Sequence, residues 1–212
     1  MVFLLALVAI VTACFAAAAL VWGMPRLAQS HQPSPTVSMP RQDESNKAKG
    51  HLGKAAVERR LREELPGSDY QVFSNISVPG ANKSSRPVTI DHIVVSRFGV
   101  FAIGTRAWPG LISSTNDPRV WKQQVGRSIN KHPNPIEQNE RQVRALARYL
   151  NLRTSYVYGL VCFSPPNTRF ADEVTAAAHH PEELVASILS SQKVVLNSVG
   201  VTELSDAIAA LR

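Results

Sequence analysis

Two neighbouring runs of β-branched and aromatic residues constrain the fold of this chain more than any other feature. Val88 to Ser96 and Val100 to Trp108 each have the composition of a strand, and Arg97-Phe98-Gly99 joins them. Such a pair predicts a hairpin. A third run, Tyr156 to Phe163, is too apolar to leave one face in water, so it predicts a central strand covered on both faces.

Helix and strand patterns alternate around these runs. Asn134 as N-cap, with Pro135 and Glu137 after it, predicts a helix that continues to Leu150. The other predicted elements are a helix from Leu52 to Leu65, a weak strand from Tyr70 to Ile76, helices over Glu182–Leu189 and Thr202–Leu211, and a short strand over Lys193–Leu196. This order predicts an α/β sandwich with a mixed sheet.

An apolar run occupies the N-terminal part of the sequence. Val2 to Trp22 is interrupted only by Thr12, and at about 1.5 Å per residue it is long enough to cross a hydrocarbon layer of about 30 Å. We expect a transmembrane anchor over residues 1–23. A cleaved signal peptide and a lipidated Cys14 are the alternatives. A signal peptide usually has basic residues before its apolar run, and a lipidated cysteine usually follows a shorter apolar stretch.

The segment after the apolar run has a different composition. Residues 24–49 hold four prolines among serines and predict an extended linker. Arg26 and Arg41 follow the run on its C-terminal side, which predicts a single-pass protein of the cell membrane with its C-terminal domain in the cytoplasm. Cys14 lies in the run and Cys162 in a predicted strand, so no disulfide framework is expected.

Charge is unevenly distributed along the chain. The 212 residues carry a formal net charge of +7, and residues 86–153 hold eleven Lys and Arg against four Asp and Glu. Such a length excludes two large domains, and the overall composition excludes a wholly disordered chain. The basic centre includes a candidate phosphate-facing surface for nucleic acid, made of Lys122, Arg127, Lys131, Arg141, Arg144 and Arg148.

An ordered series of motifs resembles the nuclease-related domain (NERD) family. The motifs are Gly50-His51-Leu52-Gly53, Ile90-Asp91-His92-Ile93-Val94-Val95-Ser96, Gly99-Val100-Phe101-Ala102-Ile103, Trp121 and Asn134-Pro135-Ile136-Glu137-Gln138. The resemblance covers about residues 50–165, which leaves 166–212 as a C-terminal helical extension expected to pack on the same domain. It implies a restriction-endonuclease-like α/β/α sandwich of the PD-(D/E)xK superfamily. It also implies a divalent metal held by an acidic residue of the first helix, an Asp and a Glu-x-Lys.

This sequence departs from the family pattern at the positions that carry the chemistry. The expected Gly-Glu is Gly53-Lys54 and the expected Glu-x-Lys is Gly104-Thr105-Arg106, which leaves Asp91 as the one matching metal ligand. Mg²⁺ takes oxygen ligands, and arginine stays protonated and cannot act as a base. We therefore expect no resident cofactor, and Mg²⁺ only if the site is active.

The candidate site residues are Asp91, Arg106 and Gln138. Asp91 in a β-branched strand needs a partner, and an ion pair with Arg106 of the neighbouring strand is favoured over metal binding. The resemblance implies that Gln138 lies near the site. His92 is expected to be a core or supporting histidine, and Trp108 and Trp121 are expected to be packing residues.

The sequence therefore predicts a catalytically inactive nuclease relative, a pseudoenzyme, anchored in a membrane and acting in nucleic-acid binding or scaffolding. Two alternatives remain open. One is a metal-dependent nuclease with a rearranged site that recruits Glu58 or a backbone carbonyl. The other is a protein-binding membrane scaffold, for which the basic centre would be incidental.

Overall fold

The computed structural model describes residues 42–80, 85–174 and 178–212, all of which belong to one compact unit. The predicted anchor over 1–23 and most of the predicted linker lie outside these residues. Among the helices within the described ranges, none combines the length and apolar character of a membrane span.

The chain alternates helices and strands, as the sequence predicts. The four α-helices that the structure describes are α1 (Gln42–Glu64), α2 (Pro135–Tyr149), α3 (Pro181–Leu189) and α4 (Ser198–Ala209). The strands are β1 (Tyr70–Val78), β2 (Val88–Ser96), β3 (Gly99–Arg106), β4 (Gly110–Ser113), β5 (Val120–Val125), β6 (Ser128–Pro133), β7 (Val157–Phe163), β8 (Thr168–Phe170) and β9 (Ala178–His179). Short 3-10 turns cover Thr154–Tyr156 and Asp172–Val174.

The main sheet is mixed and has the order β1-β2-β3-β7-β9. β1, β2 and β3 are antiparallel neighbours, and Val95 lies opposite Val100 in the predicted hairpin. β7 runs parallel to β3 and lies between β3 and β9, which confirms the central position predicted from its apolar sequence. The mixed α/β architecture expected from the sequence is therefore present.

Helices cover both faces of the main sheet. On one face, Val57 and Leu61 of α1 pack with Phe101 of β3 and with Leu184 of α3. On the other face, Leu146 of α2 and the helix α4 pack against the alternate side chains of β1, β2 and β3. Burial of these two apolar layers is the main stabilising term, at about 25 cal/mol per Å² of apolar surface.

A second sheet with the order β6-β5-β4-β8 extends from the end of β3 and was not predicted. Its strands carry few β-branched residues, as in Val120–Val125 with two glutamines and a lysine, so strand composition is weak there. The hairpin of β5 and β6 turns at Gly126, whose positive φ of 58° suits glycine. Trp121 of β5 packs in a core with Phe163 of β7.

Three predicted elements differ from the structure. The last helix, α4, begins at Ser198, four residues before the predicted Thr202. α1 begins at Gln42, because no proline follows Pro40 in the segment predicted as linker. The strand predicted over Lys193–Leu196 is wrong. The backbone N–H groups of Val195 and Leu196 both donate to one carbonyl, that of Arg97, and the position beside β7 is taken by β9.

Candidate functional site

A buried carboxylate on β2 organises the candidate site. Asp91 is 8% exposed, and its Oδ2 accepts a hydrogen bond of 2.8 Å from the backbone N–H of Thr105 on β3. Its Oδ1 lies 2.7 Å from the Nζ of Lys54 on α1, and its Oδ2 lies 3.8 Å from an Nη of Arg106. One carboxylate therefore faces two cations, and the expected pair with Arg106 is the longer of the two.

Close packing brings α1 to this carboxylate. A Cβ added to Gly53 would overlap the Oγ of Ser164, which follows β7, so a larger residue would force that side chain or the helix to move. Ser164 in turn bonds to the carbonyl of Arg106 at the end of β3. Lys54, the next residue of α1, is thereby placed over the end of the hairpin that carries Asp91.

Arg106 connects Asp91 to α2. Its side chain is 12% exposed, one Nη donates to the carbonyl of Thr105 at 2.8 Å, and the other donates to the Oε1 of Gln138 at 2.9 Å. Burial lowers the pKa of Arg106 while the charge of Asp91 acts in the opposite direction. A guanidinium starts from so high a pKa that it keeps its proton.

Buried amides of α2 occupy the space beside Gly104. Asn139 donates to the carbonyl of Ala102 at 2.9 Å and to the Oε1 of Gln142 at 3.2 Å, and Gln142 donates to the carbonyl of Thr89 at 2.8 Å. A Cβ at Gly104 would lie 3.6 to 3.7 Å from Arg106, Gln142 and Asn139, which is ordinary contact. A Cβ is thus accommodated at the place of the family's Glu, which is lined by neutral and cationic groups.

His92, the next residue of β2, is fully buried and belongs to another cluster. Its Nδ1 lies 3.0 Å from the Oγ of Ser74 on β1. Burial lowers the pKa of His92 to about 4, against the opposing effect of the Asp91 and Glu58 charges. The imidazole is therefore neutral at pH 7, as expected of a core histidine. Glu58 binds Arg62 through hydrogen bonds of 2.9 and 3.1 Å.

An open cleft of about 740 Å³ lies next to Arg106. Its walls come from the start of α1, the end of β3 and the β5–β6 hairpin, and its charged residues are Lys49, Arg106 and Lys131. None of the described residues that line it is acidic. The rings of Trp108 and His132 stack in its wall with their centroids 4.0 Å apart. The cleft therefore combines cations with aromatic surface.

Comparison with known proteins identifies the family to which this chain belongs. The profile of the nuclease-related domain matches residues 49–164, more than half of the chain. This chain belongs to the NERD family. An uncharacterised protein of Bacillus anthracis is 32% identical over 100 residues, which are 47% of this chain and 46% of that protein. The chain thus spans about half the length of this curated relative, and no solved structure matches it.

The residues at the NERD metal positions do not fit a divalent cation. Lys54 and Arg106 both approach Asp91, and Gly104 offers no ligand atom. At about 4 kcal/mol per pair of unit charges 4 Å apart, a divalent ion gains about 8 kcal/mol from one carboxylate and loses about 16 to two cations. Within the described residues no three His, Cys, Asp or Glu side chains are grouped as a metal site would require.

The structure brings the three candidate site residues of the NERD domain together. Asp91, Arg106 and Gln138 form a continuous chain of contacts from β2 to α2. Glu58, considered as a substitute ligand, is instead hydrogen bonded to Arg62 and close to Ser74 and His92.

The basic residues proposed for phosphate contact divide into three groups. Lys131 lines the cleft, and Lys122 lies directly opposite it on β5. Arg127 occupies the turn of the hairpin. Arg141, Arg144 and Arg148 form an exposed row on α2, of which Arg141 borders a smaller hollow of about 530 Å³ with Gln138. Lys131 and Arg141 therefore border two separate hollows.

Sequence reasoning missed several residues of the site. It placed a positive charge at Lys54 but not an ion pair with Asp91, and it gave no role to Lys49, Thr105 or His132. The sequence did carry a signal for Lys54, because the NERD pattern places the residue at this position close to the Asp. Lys49 and His132 had no such signal, because α1 was predicted to begin after Lys49 and β6 was not predicted.

The buried His92 predicts a specific loss of stability in acid. Its folded pKa of about 4 lies below the ordinary value of about 6.5, so the unfolded state binds more protons between these values. Stability is therefore full above pH 6.5 and falls as the pH drops toward 4, by up to about 3 kcal/mol at 1.36 kcal/mol per pKa unit.

Urea unfolding of the full chain between pH 7.5 and pH 4 measures this loss. We expect His92→Gln, which keeps a polar side chain for Ser74, to flatten the profile, although it lowers stability at pH 7. The exposed His51→Gln is the matched control and should leave the profile unchanged. A His92→Gln profile as steep as that of the wild-type chain would contradict the prediction.

Restoring the missing carboxylates should create a metal site. We expect calorimetry of the full chain to show no stoichiometric binding of millimolar Mg²⁺ or Mn²⁺, and Lys54→Glu/Gly104→Glu to bind Mn²⁺, since three carboxylates would then surround the site. Lys54→Gln/Gly104→Gln is the uncharged control. Stoichiometric Mg²⁺ binding by the wild-type chain that disappears in Asp91→Ala would refute the argument from charge.

Proposed function

We propose that this NERD protein binds nucleic acid without metal-dependent cleavage and is held at a membrane by its N-terminal run. The observation that carries the proposal is that Asp91 already has two cationic partners, Lys54 and Arg106. The cleft beside them has only basic residues among the described charged residues that line it. The site has a net charge of about +1 from these three groups and therefore attracts anions rather than cations.

The fold supports a nuclease-like ancestry for the binding surface. A central mixed sheet lies between α1 with α3 and α2 with α4, an arrangement that we assign to the restriction-endonuclease-like α/β/α core. In that assignment, the cleft beside Arg106 corresponds to the place where a nuclease holds the phosphate backbone. Lys49 and Lys131 provide flexible cations there, while Arg106 is fixed by Gln138.

The membrane assignment rests on the sequence. Val2 to Trp22 is apolar enough for a span, and Arg26 and Arg41 on its C-terminal side favour a cytoplasmic domain. Held in this way, the basic surface would act on nucleic acid close to the membrane.

Binding to nucleic acid should be weak, indifferent to sequence and steeply dependent on salt. Each cation that neutralises a phosphate adds about one unit to the slope of log K against log salt. We expect Lys49→Glu/Lys131→Glu to abolish binding of the full chain to random-sequence DNA and RNA, measured by anisotropy at about 50 mM salt. Arg141→Glu/Arg144→Glu/Arg148→Glu should weaken it as well, since this row is exposed and leaves the core side of α2 untouched.

Lys193→Glu serves as the control for a general effect of charge, because Lys193 is exposed and lies outside the cleft. A flat titration of the wild-type chain with both DNA and RNA would exclude nucleic acid as the partner and favour the protein scaffold instead.

The membrane proposal predicts a single span with the domain inside. We expect the full chain, expressed in a bacterial cell, to sediment with membranes, to resist carbonate extraction and to be protected from protease added to intact spheroplasts. Replacing Ala9 and Ala16 with Arg should release it, since an Arg near the centre of a span costs about 2.5–3.5 kcal/mol. A mature chain that begins near Cys14 or Gly23 would contradict an uncleaved anchor.

A further inference from the structure

The aromatic pair in the cleft wall offers a surface that phosphate binding does not need. Trp108 and His132 stack with an interplanar angle of 19°, and both are only partly buried. Trp121, by contrast, is 5% exposed and packs on Phe163 in the core. The packing role predicted for both tryptophans therefore holds for Trp121, while Trp108 also presents surface to the cleft.

One buried hydroxyl lies in the wall of the same cleft, and it is not open to a ligand. Thr105 is 6% exposed and lines the cleft, and its Oγ1 has no hydrogen-bond partner among the described residues. An unpaired buried polar atom costs about 1–3 kcal/mol.

Cations and stacked rings within one cleft point to an unpaired base. A volume of about 740 Å³ is within the range of pockets that enclose a molecule of nucleotide size. In a duplex both faces of each base are covered by its neighbours, whereas in a single strand a base can leave the stack and pack on an aromatic side chain. Lys49 and Lys131 can contact the adjoining phosphates.

We propose that the cleft binds single-stranded nucleic acid, with a base packed against the Trp108–His132 pair and its phosphates beside Lys49, Arg106 and Lys131. The proposal rests on the proposed function and specifies it further. A basic surface alone binds single strands and duplexes through their phosphates. The aromatic pair adds a contribution that only the single strand can use.

Anisotropy titration of the full chain with a labelled oligothymidylate and with a duplex, each of about 16 nucleotides per strand, tests this. We expect tighter binding of the single strand. His132→Gln retains a polar partner for Gln123, which lies 2.9 Å from the His132 ring, but removes the ring. It should weaken single-strand binding roughly 5- to 150-fold, the range for loss of one stacked base, without changing duplex binding. His132→Phe keeps a ring and should restore affinity.

Tryptophan fluorescence gives a second measurement that does not depend on affinity. In a Trp22→Phe/Trp121→Phe background, Trp108 is the remaining tryptophan, and oligothymidylate should quench its emission. Circular dichroism of each variant reports whether it folds.

These outcomes show whether the stacked base alone fails or both proposals fail. Equal binding of single strand and duplex, with His132→Gln unchanged and no quenching, would overturn the stacked base but leave the basic surface standing. Tighter duplex binding would likewise overturn it. If the chain bound neither the single strand nor the duplex, the proposed function and this inference would both be rejected.

Discussion

The ion pair between Lys54 and Asp91 joins the elements on which the site depends. The carboxylate lies where the β2–β3 ladder ends, since the last paired residues toward the open end of the hairpin are His92 and Ile103. Beyond that point the Asp91 side chain, rather than a backbone carbonyl, accepts the N–H of Thr105. A buried carboxylate there requires a positive partner, and Lys54 fixes α1 against the sheet when it supplies one.

Two cations around one carboxylate leave a surplus of positive charge, which gives the site its character. In a metal-dependent nuclease the surplus is negative and a divalent ion balances it. Here the amine of Lys54 lies 2.7 Å from the Asp91 Oδ1, so the protein neutralises the carboxylate with its own side chain. The excess charge is carried by Arg106, which lines the cleft, so the electrostatic potential at that end of the sheet is positive.

The sequence predicted the secondary structure well where apolar residues form a continuous or regularly spaced run. β2, β3, β7 and α2 have apolar runs or a clear N-cap, and their predicted bounds lie within two residues of those observed. The contact of Arg106 with Gln138 needed the family pattern, because nothing local places residues 32 apart together. The second sheet could not be predicted from the sequence. β6 is an exposed edge strand with little β-branched character, and its pairing with β5 is set by tertiary context.

The two cations lie at different distances from Asp91, which explains how Arg106 can contact both the buried carboxylate and the cleft. Arg106 lies 3.8 Å from Asp91, whereas Lys54 lies 2.7 Å from the same carboxylate. In the proposed function, Asp91 would remain neutralised by Lys54 when Arg106 contacts a phosphate, and no buried charge would be left unpaired. The hydrogen bonds of Arg106 to Thr105 and Gln138 hold its guanidinium in place, so little side-chain entropy remains to be lost on binding. In the proposed function, the two cations that disfavour a divalent metal beside Asp91 are thus also the groups that favour an anion there.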